Sequence, residues 1–162
     1  ALGIRSVGDA VRAAATLLSL AGDDAPAIPT ERDAEERESA LRSLGVEPGG
    51  TIPPALRVQL KNLEEDQKRR ATRSLRDGLD RIMVDLLSLY RDVLLMQLGA
   101  TTEPINLSIH SALVQASARG NAAQTLATLD AITTARKRID GNVAPALALE
   151  AMLISTARKD AA

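Results

Sequence analysis

The stretch that decides the fold is residues 75–96, LRDGLDRIMVDLLSLYRDVLLM. Its apolar side chains recur at intervals of three and four residues: Leu75, Leu79, Ile82, Leu86, Leu89, Val93 and Met96. Because an α-helix has 3.6 residues per turn, this spacing places them on one helical face. The pattern predicts one long helix from about Ala55 to Leu98, closed by Gly99. Gly78 costs that helix about 1 kcal/mol of propensity, so a bend or break can occur near it.

The sequence upstream of this stretch predicts two further helices. Ser6, with Asp9 three residues later, is the expected N-cap of a first helix that ends at Gly22. Thr30 is the expected cap of a second, exposed helix that ends before Gly45. We expect residues 23–29 to be a linker between them.

The sequence downstream predicts three shorter helices, each opened by an asparagine. Asn106 is expected to cap a helix over 107–119. Asn121 and Gln124 form a capping box for the next helix, whose expected core residues are Leu126, Leu129, Ile132 and Ile139. Asn142 is expected to cap the last helix, with Pro145 in its first turn. This last helix is apolar almost all round, as expected for a helix in the middle of a bundle or against a partner.

Together these patterns predict an all-α protein, a bundle of about five to six helices. No stretch alternates apolar and polar residues over the length of a strand. The 162 residues suffice for one domain, or for one domain and an ordered arm. Residues 47–54, EPGGTIPP, cannot be helical, so we expect an N-terminal arm over 1–46 and a bundle over 55–162.

Composition excludes several classes of function. The chain has no Cys, Trp or Phe, one Tyr and one His. Thiol catalysis, zinc–thiolate sites, iron–sulfur clusters and disulfides are therefore excluded, and we expect no metal and no cofactor. The formal net charge of −1 argues against a dedicated nucleic-acid binder. No apolar run approaches a membrane span. The first residue, Ala1, suggests a piece of a longer chain, and we expect a cytoplasmic protein.

No catalytic constellation is visible, so we expect this chain not to be an enzyme. His110 is the only imidazole, and a structural or surface role is expected for it. The charged run from Lys61 to Arg81 is expected to be a solvated face, with a weak phosphate contact at Arg69, Arg73 and Arg76 as the alternative. Its expected i,i+4 ion pairs are Glu65–Arg69, Asp66–Arg70, Arg73–Asp77, Arg76–Asp80 and Asp77–Arg81.

Two polar features interrupt apolar helices. Glu150 lies in the apolar last helix, either at a subunit interface or on a wet stripe. The tripeptide Tyr90-Arg91-Asp92 is expected to face a partner or to form hydrogen bonds between helices.

Three segments, in this order, resemble one family. Ser6–Val11 is similar to the segment after the ATPase-like module in high-GC bacterial versions of the DNA polymerase III delta-prime subunit. The stretch 68–100, with KRRATR, DGLDR and YRDVL, resembles the C-terminal helical domain of that subunit. The ending 138–151, RIDGNVAPALALEA, resembles the N-x-x-P-x-L-x-L-E ending of clamp-loader collar domains. The gamma/tau collar shares this ending, and the YRDVL stretch favours delta-prime.

The resemblance implies an oligomerisation domain without catalytic activity, whose partners are gamma/tau and delta in a ring of clamp-loader subunits that load the sliding clamp in DNA replication. It implies no ATP site and no direct DNA binding in this piece. The expected subunit-interface residues are Tyr90, Arg91, Asp92, Leu94, Leu149, Glu150 and Ile154. Two alternatives from the residues alone are a ligand-sensing helical domain of a regulator and a coiled-coil dimer through Leu75–Met96.

Overall fold

The structure, a computed structural model, describes residues 6–23, 28–43, 45 and 54–159. In these residues every regular element is helical, which confirms the predicted all-α fold of five to six helices. The elements are α1 (Val7–Asp23), α2 (Ile28–Ser43), α3 (Pro54–Gln97), a 3₁₀ turn (Leu107–Ile109), α4 (His110–Arg119), α5 (Ala122–Asp140) and α6 (Pro145–Lys159).

The chain packs as two compact units that share α3. Unit 1 is formed by the described residues within 1–20 and 79–162, and unit 2 by those within 21–78. This division differs from the predicted one, an arm over 1–46 and a bundle over 55–162. The charged first half of α3 belongs with α2, because the charged side chains of these two helices pair. The predicted boundary over 47–54 lies outside the described residues, apart from Pro54, which opens α3.

Unit 2 contains an antiparallel pair, α2 and the first half of α3. Arg70 of α3 donates a hydrogen bond to Asp33 Oδ1 at 3.2 Å and also pairs with Glu36. Further along, Arg37 of α2 lies 3.6 Å from Glu64 of α3. Because the residue numbers of the paired side chains rise along α2 and fall along α3, the two helices run in opposite directions. The predicted second helix is therefore present, and it starts at Ile28, which places Thr30 inside it rather than at its cap.

Gly78 permits a close helix approach in unit 2. A Cβ atom built at Gly78 would lie 2.5 Å from the carbonyl oxygen of Ala21, which is fully buried in the last turn of α1. No side chain fits such a gap without moving the backbone of α1. The helix nevertheless runs unbroken through this residue, so the glycine serves packing, and the break that its low propensity suggested does not occur.

The core of unit 1 is built from α3, α4, α5 and α6 together with Ala10 and Ala14 of α1, and α5 and α6 pack against each other. Its largest buried apolar side chains are Leu79, Met83, Leu113, Ile132, Leu149 and Leu153. One predicted core residue of α5 lies outside: Leu126 is 53% exposed, and its neighbour Thr125 is buried instead. In α6, Leu147 is 62% exposed, so the apolar last helix is only partly covered by its own chain.

Several predicted helix ends are confirmed. Ser6 Oγ accepts a hydrogen bond from the Asp9 N–H at 3.1 Å, as an N-cap does. Asn121 and Gln124 form the predicted capping box, with bonds of 3.0 and 3.2 Å. Gly99 adopts φ +65° after α3, where a left-handed residue closes a helix with least strain.

Two predicted asparagine caps act differently. Asn142 adopts φ +65° and ends α5. The Asn142 N–H donates a hydrogen bond to the Ile139 carbonyl, and the Val143 N–H donates one to the Arg138 carbonyl at 2.9 Å. The last helix begins instead at Pro145, whose missing N–H costs nothing there. Asn106 precedes the 3₁₀ turn without a side-chain cap bond, because its side chain is engaged elsewhere.

Candidate interaction site

The Asp92 carboxylate of α3 is completely buried, and it holds the chain that follows α3. Its Oδ2 accepts hydrogen bonds from the backbone N–H groups of Ile105 and Asn106, both at 2.9 Å. The same oxygen accepts a third bond from Asn106 Nδ2 at 2.8 Å, and Oδ1 accepts one from Arg91 Nη1 at 2.8 Å. Asn106 Nδ2 also lies 3.1 Å from Ser88 Oγ. Asp92 therefore fastens the loop 105–106 to the C-terminal part of α3.

The electrostatics of Asp92 suit this fastening role. Burial alone would raise the pKa of its carboxyl group, because a charged group loses its hydration. The bonds from Asn106, Ile105 and Arg91 favour the charged form more strongly, so the pKa is lowered from its usual value. A buried carboxylate with its oxygens bonded in this way is a structural anion, and it has no free face for a substrate or a metal ion.

The anchored loop leads into a row of exposed apolar side chains, here named the apolar segment: Ile105, Leu107, Ile109 and Val114. Their exposed fractions are 64%, 55%, 38% and 44%. Single exposed apolar residues are common on protein surfaces, whereas a cluster of them marks an interaction site. The apolar segment brings four such residues within ten positions of the sequence, and its backbone is held in place at its start by Asp92.

The predicted interface residues of α3 differ in how far they are exposed. Tyr90, Arg91 and Leu94 are half-buried, and the Arg91 side chain keeps 42% of its surface exposed. Asp92 is sealed inside its own chain, and its hydrogen bonds go to Arg91 of the same helix and to the loop 105–106 rather than to another helix. Because it is completely buried, Asp92 cannot touch a partner directly.

The predicted interface residues of α6 divide in the same way. Leu149 is 1% exposed and belongs to the core of unit 1, because its helical face is the one that packs inward. Glu150 and Ile154 are half-buried and reach the surface. Leu147, which was not predicted, is the most exposed large apolar side chain of this helix. Contact of any of these residues with a partner stays a prediction.

The charged run over 61–81 makes contacts with other helices that were not predicted. Arg70 bonds to α2 rather than to Asp66, and Asp66 lies 3.7 Å from Arg69, one residue closer along the helix than expected. Asp80 pairs with Arg136 of α5, whose Nη2 donates to Asp80 Oδ2 at 3.0 Å. The charged run therefore joins helices to one another within each unit. A phosphate-binding face would not need such contacts between helices.

No group of three or more His, Asp or Glu side chains that could hold a metal ion occurs in the described residues. His110, the only imidazole of the chain, lies exposed at the start of α4.

Sequence reasoning missed the apolar segment because its residues fall in a loop, a 3₁₀ turn and the outer face of α4. The available signal was the presence of three large apolar residues, Ile105, Leu107 and Ile109, among small polar ones directly after Pro104.

Among the described helices, none has a stretch sufficiently long and apolar to span a bilayer. The chain matches no known protein family, no curated protein and no solved structure.

Proposed function

We propose that this chain is a non-catalytic assembly domain of a bacterial clamp loader, equivalent to the collar domain of the delta-prime subunit. In this proposal it acts in the cytoplasm, binds the collar domains of gamma/tau and delta, and contacts neither ATP nor DNA. The observation that carries the proposal is the apolar segment, a set of exposed apolar side chains whose backbone is anchored on a buried carboxylate.

The energetics favour a protein partner for the apolar segment. Burial of apolar surface contributes roughly 25 cal/mol per Å², so these side chains gain free energy when another surface covers them. A segment that is already held by Asp92 loses little conformational entropy on binding, and this lowers the cost of association.

The coiled-coil alternative has less support. Its seam over Leu75–Met96 would have to present Leu79 and Val93 to a second chain, yet both are buried within their own chain. A ligand-sensing domain would need an enclosed apolar pocket, usually with aromatic side chains, and the chain has one Tyr.

Calorimetric titration of the collar domains of gamma/tau and delta into this chain tests the proposal. We expect the wild type to bind at least one of them, and Ile105→Asp together with Leu107→Asp to weaken binding more than tenfold. The matched control is Leu126→Asp, which places the same charge at an exposed apolar residue of α5 outside the apolar segment. Leu149→Asp is unsuitable, since it would place a charge in the core.

Absence of binding to either domain by a folded wild type would contradict the proposal. Equal affinities of the double variant and the wild type would show that binding occurs elsewhere. Circular dichroism of each variant, compared with the wild type, checks that its helices are intact.

A further inference from the structure

A groove of about 370 Å³ runs between α5 and α6 on unit 1. Its walls are mostly short side chains, including Ala127, Ala131 and Thr134 of α5 and Ala151 of α6, and Met152 of α6 also lines it. From Ala127 to Arg138 the α5 wall spans twelve residues, or about 16 Å of helix. Walls of this kind allow the backbone of another helix to approach closely, over about three turns.

Two opposite charges line this groove, one on each side of Thr134. Asp130 and Arg138 both line it, and Thr134 stands midway between them in the sequence. Four residues separate each charge from Thr134, which is about 6 Å along the helix axis. Both side chains are exposed, and within the part of the chain that the structure describes neither has an ion-pair partner. Arg136, by contrast, is paired with Asp80.

This arrangement is complementary to itself. If two copies of α5 lie antiparallel and cross at Thr134, Asp130 of each copy faces Arg138 of the other. A two-fold axis requires this reciprocity, since the same patch must be used on both sides. If the copies lie parallel in the same register, Asp130 faces Asp130 and Arg138 faces Arg138, and both pairs repel.

We propose that the α5–α6 groove is the interface of a two-fold symmetric homodimer, in which the occupant is the α5 helix of a second copy of this chain. Contact between the short side chains supplies the close approach, and the two reciprocal ion pairs select the antiparallel direction. This surface shares no residue with the apolar segment. The homodimer is thus independent of the proposed collar partners, and each test can fail without the other.

Charge exchange tests the pairing. The mass of the wild type, measured by sedimentation over a range of protein concentrations, should rise from 17.1 kDa towards twice that value. Asp130→Arg alone and Arg138→Asp alone each place like charges together, and each should weaken dimerisation at least tenfold. The double exchange, Asp130→Arg with Arg138→Asp, restores complementarity and should recover the dimer. The control Lys137→Asp changes an exposed charge of α5 outside the groove and should have no such effect.

A cross-linking experiment gives a second readout, because the natural chain contains no cysteine. Thr134→Cys places a thiol beside the two-fold axis and should yield a disulfide-linked dimer under mild oxidation. The control Thr133→Cys, also exposed but outside the groove, should remain largely monomeric. A wild type that is monomeric at all concentrations would overturn the inference. So would a dimer that survives either single exchange, a double exchange that recovers nothing, or equal cross-linking at the two positions.

Discussion

Removal of the Asp92 carboxylate is the perturbation that most sharply tests how unit 1 is held together. Asp92→Ala takes away the acceptor of two backbone N–H groups, of the Asn106 side chain and of Arg91. Asp92→Asn keeps the shape and one carbonyl oxygen but removes the charge. The control is Asp85→Ala, which deletes an exposed carboxylate from the same helix.

The expected loss for Asp92→Ala is about 3 kcal/mol of unfolding free energy. A hydrogen bond to a charged group contributes roughly 1.5–3 kcal/mol, and four are lost. The total is much smaller than their sum, because Ile105 and Asn106 are partly exposed and their N–H groups can bond to water instead. We expect about half this loss for Asp92→Asn, and less than about 0.5 kcal/mol for the surface control.

The single tyrosine provides the assay. Tyr90 lies two residues from Asp92, and since the chain has no Trp, its fluorescence reports on unit 1 alone. In urea, with a slope near 2 kcal/mol/M, a loss of about 3 kcal/mol lowers the midpoint by about 1.5 M. A midpoint that falls by less than about 0.3 M in Asp92→Ala would refute the anchoring role.

The pH dependence of the same transition follows from the lowered pKa of Asp92. Because the folded pKa lies below the unfolded value of about 3.9, the carboxylate contributes its full stability above that value. The contribution is lost as the pH falls through the lower, folded pKa. The stability difference between the wild type and Asp92→Asn should therefore shrink below about pH 4, and a constant difference down to pH 2 would contradict this account.

Three further predictions concern helix packing and the ion pairs between α2 and α3. Gly78→Ala should lower the melting temperature, although alanine has the better helix propensity, because the new methyl group meets the backbone of α1. Gly22→Ala should raise the melting temperature, because its methyl group meets nothing within 4 Å. Ile132→Ala should cost about 2–5 kcal/mol and Leu126→Ala less than about 1 kcal/mol in urea unfolding, since only the first is buried; equal losses would contradict the described face of α5. Arg70→Gln should speed amide hydrogen exchange in α2 at low salt, and the difference from wild type should vanish in about 1 M salt, where exposed ion pairs are screened. A difference that persists in high salt would mean that packing, not charge, holds α2.

The fold class could be predicted from the sequence because helical periodicity is a local property. The spacing of Leu75 to Met96 defines one face of α3, and the capping box at Asn121 needs residues only three apart. What covers a helical face depends on the other helices, and there the prediction was less accurate. On α5, Thr125 is buried rather than Leu126, and its hydroxyl group donates a hydrogen bond to Gln97 Oε1 of α3 at 2.7 Å. No local pattern contains that information.

The candidate site was less predictable for the same reason. A polar tripeptide in an apolar helix indicates that something bonds to it, but not whether the partner lies in the same chain. For Asp92 the partner is a loop that begins thirteen residues downstream. The sequence predicts Asn106 as a helix cap, because asparagine serves as a cap as well as a donor to a buried carboxylate. The pairing of Arg70 with α2 likewise requires the antiparallel packing of unit 2, which residue spacing along α3 does not reveal.

Light-scattering mass on a sizing column tests the central claim, assembly with collar partners, most directly. The chain is measured alone and after mixing with the collar domains of gamma/tau and delta. The account predicts a new complex, heavier than any component alone, that contains this chain and at least one of the two domains. A folded chain that elutes unchanged in the presence of both domains would contradict it.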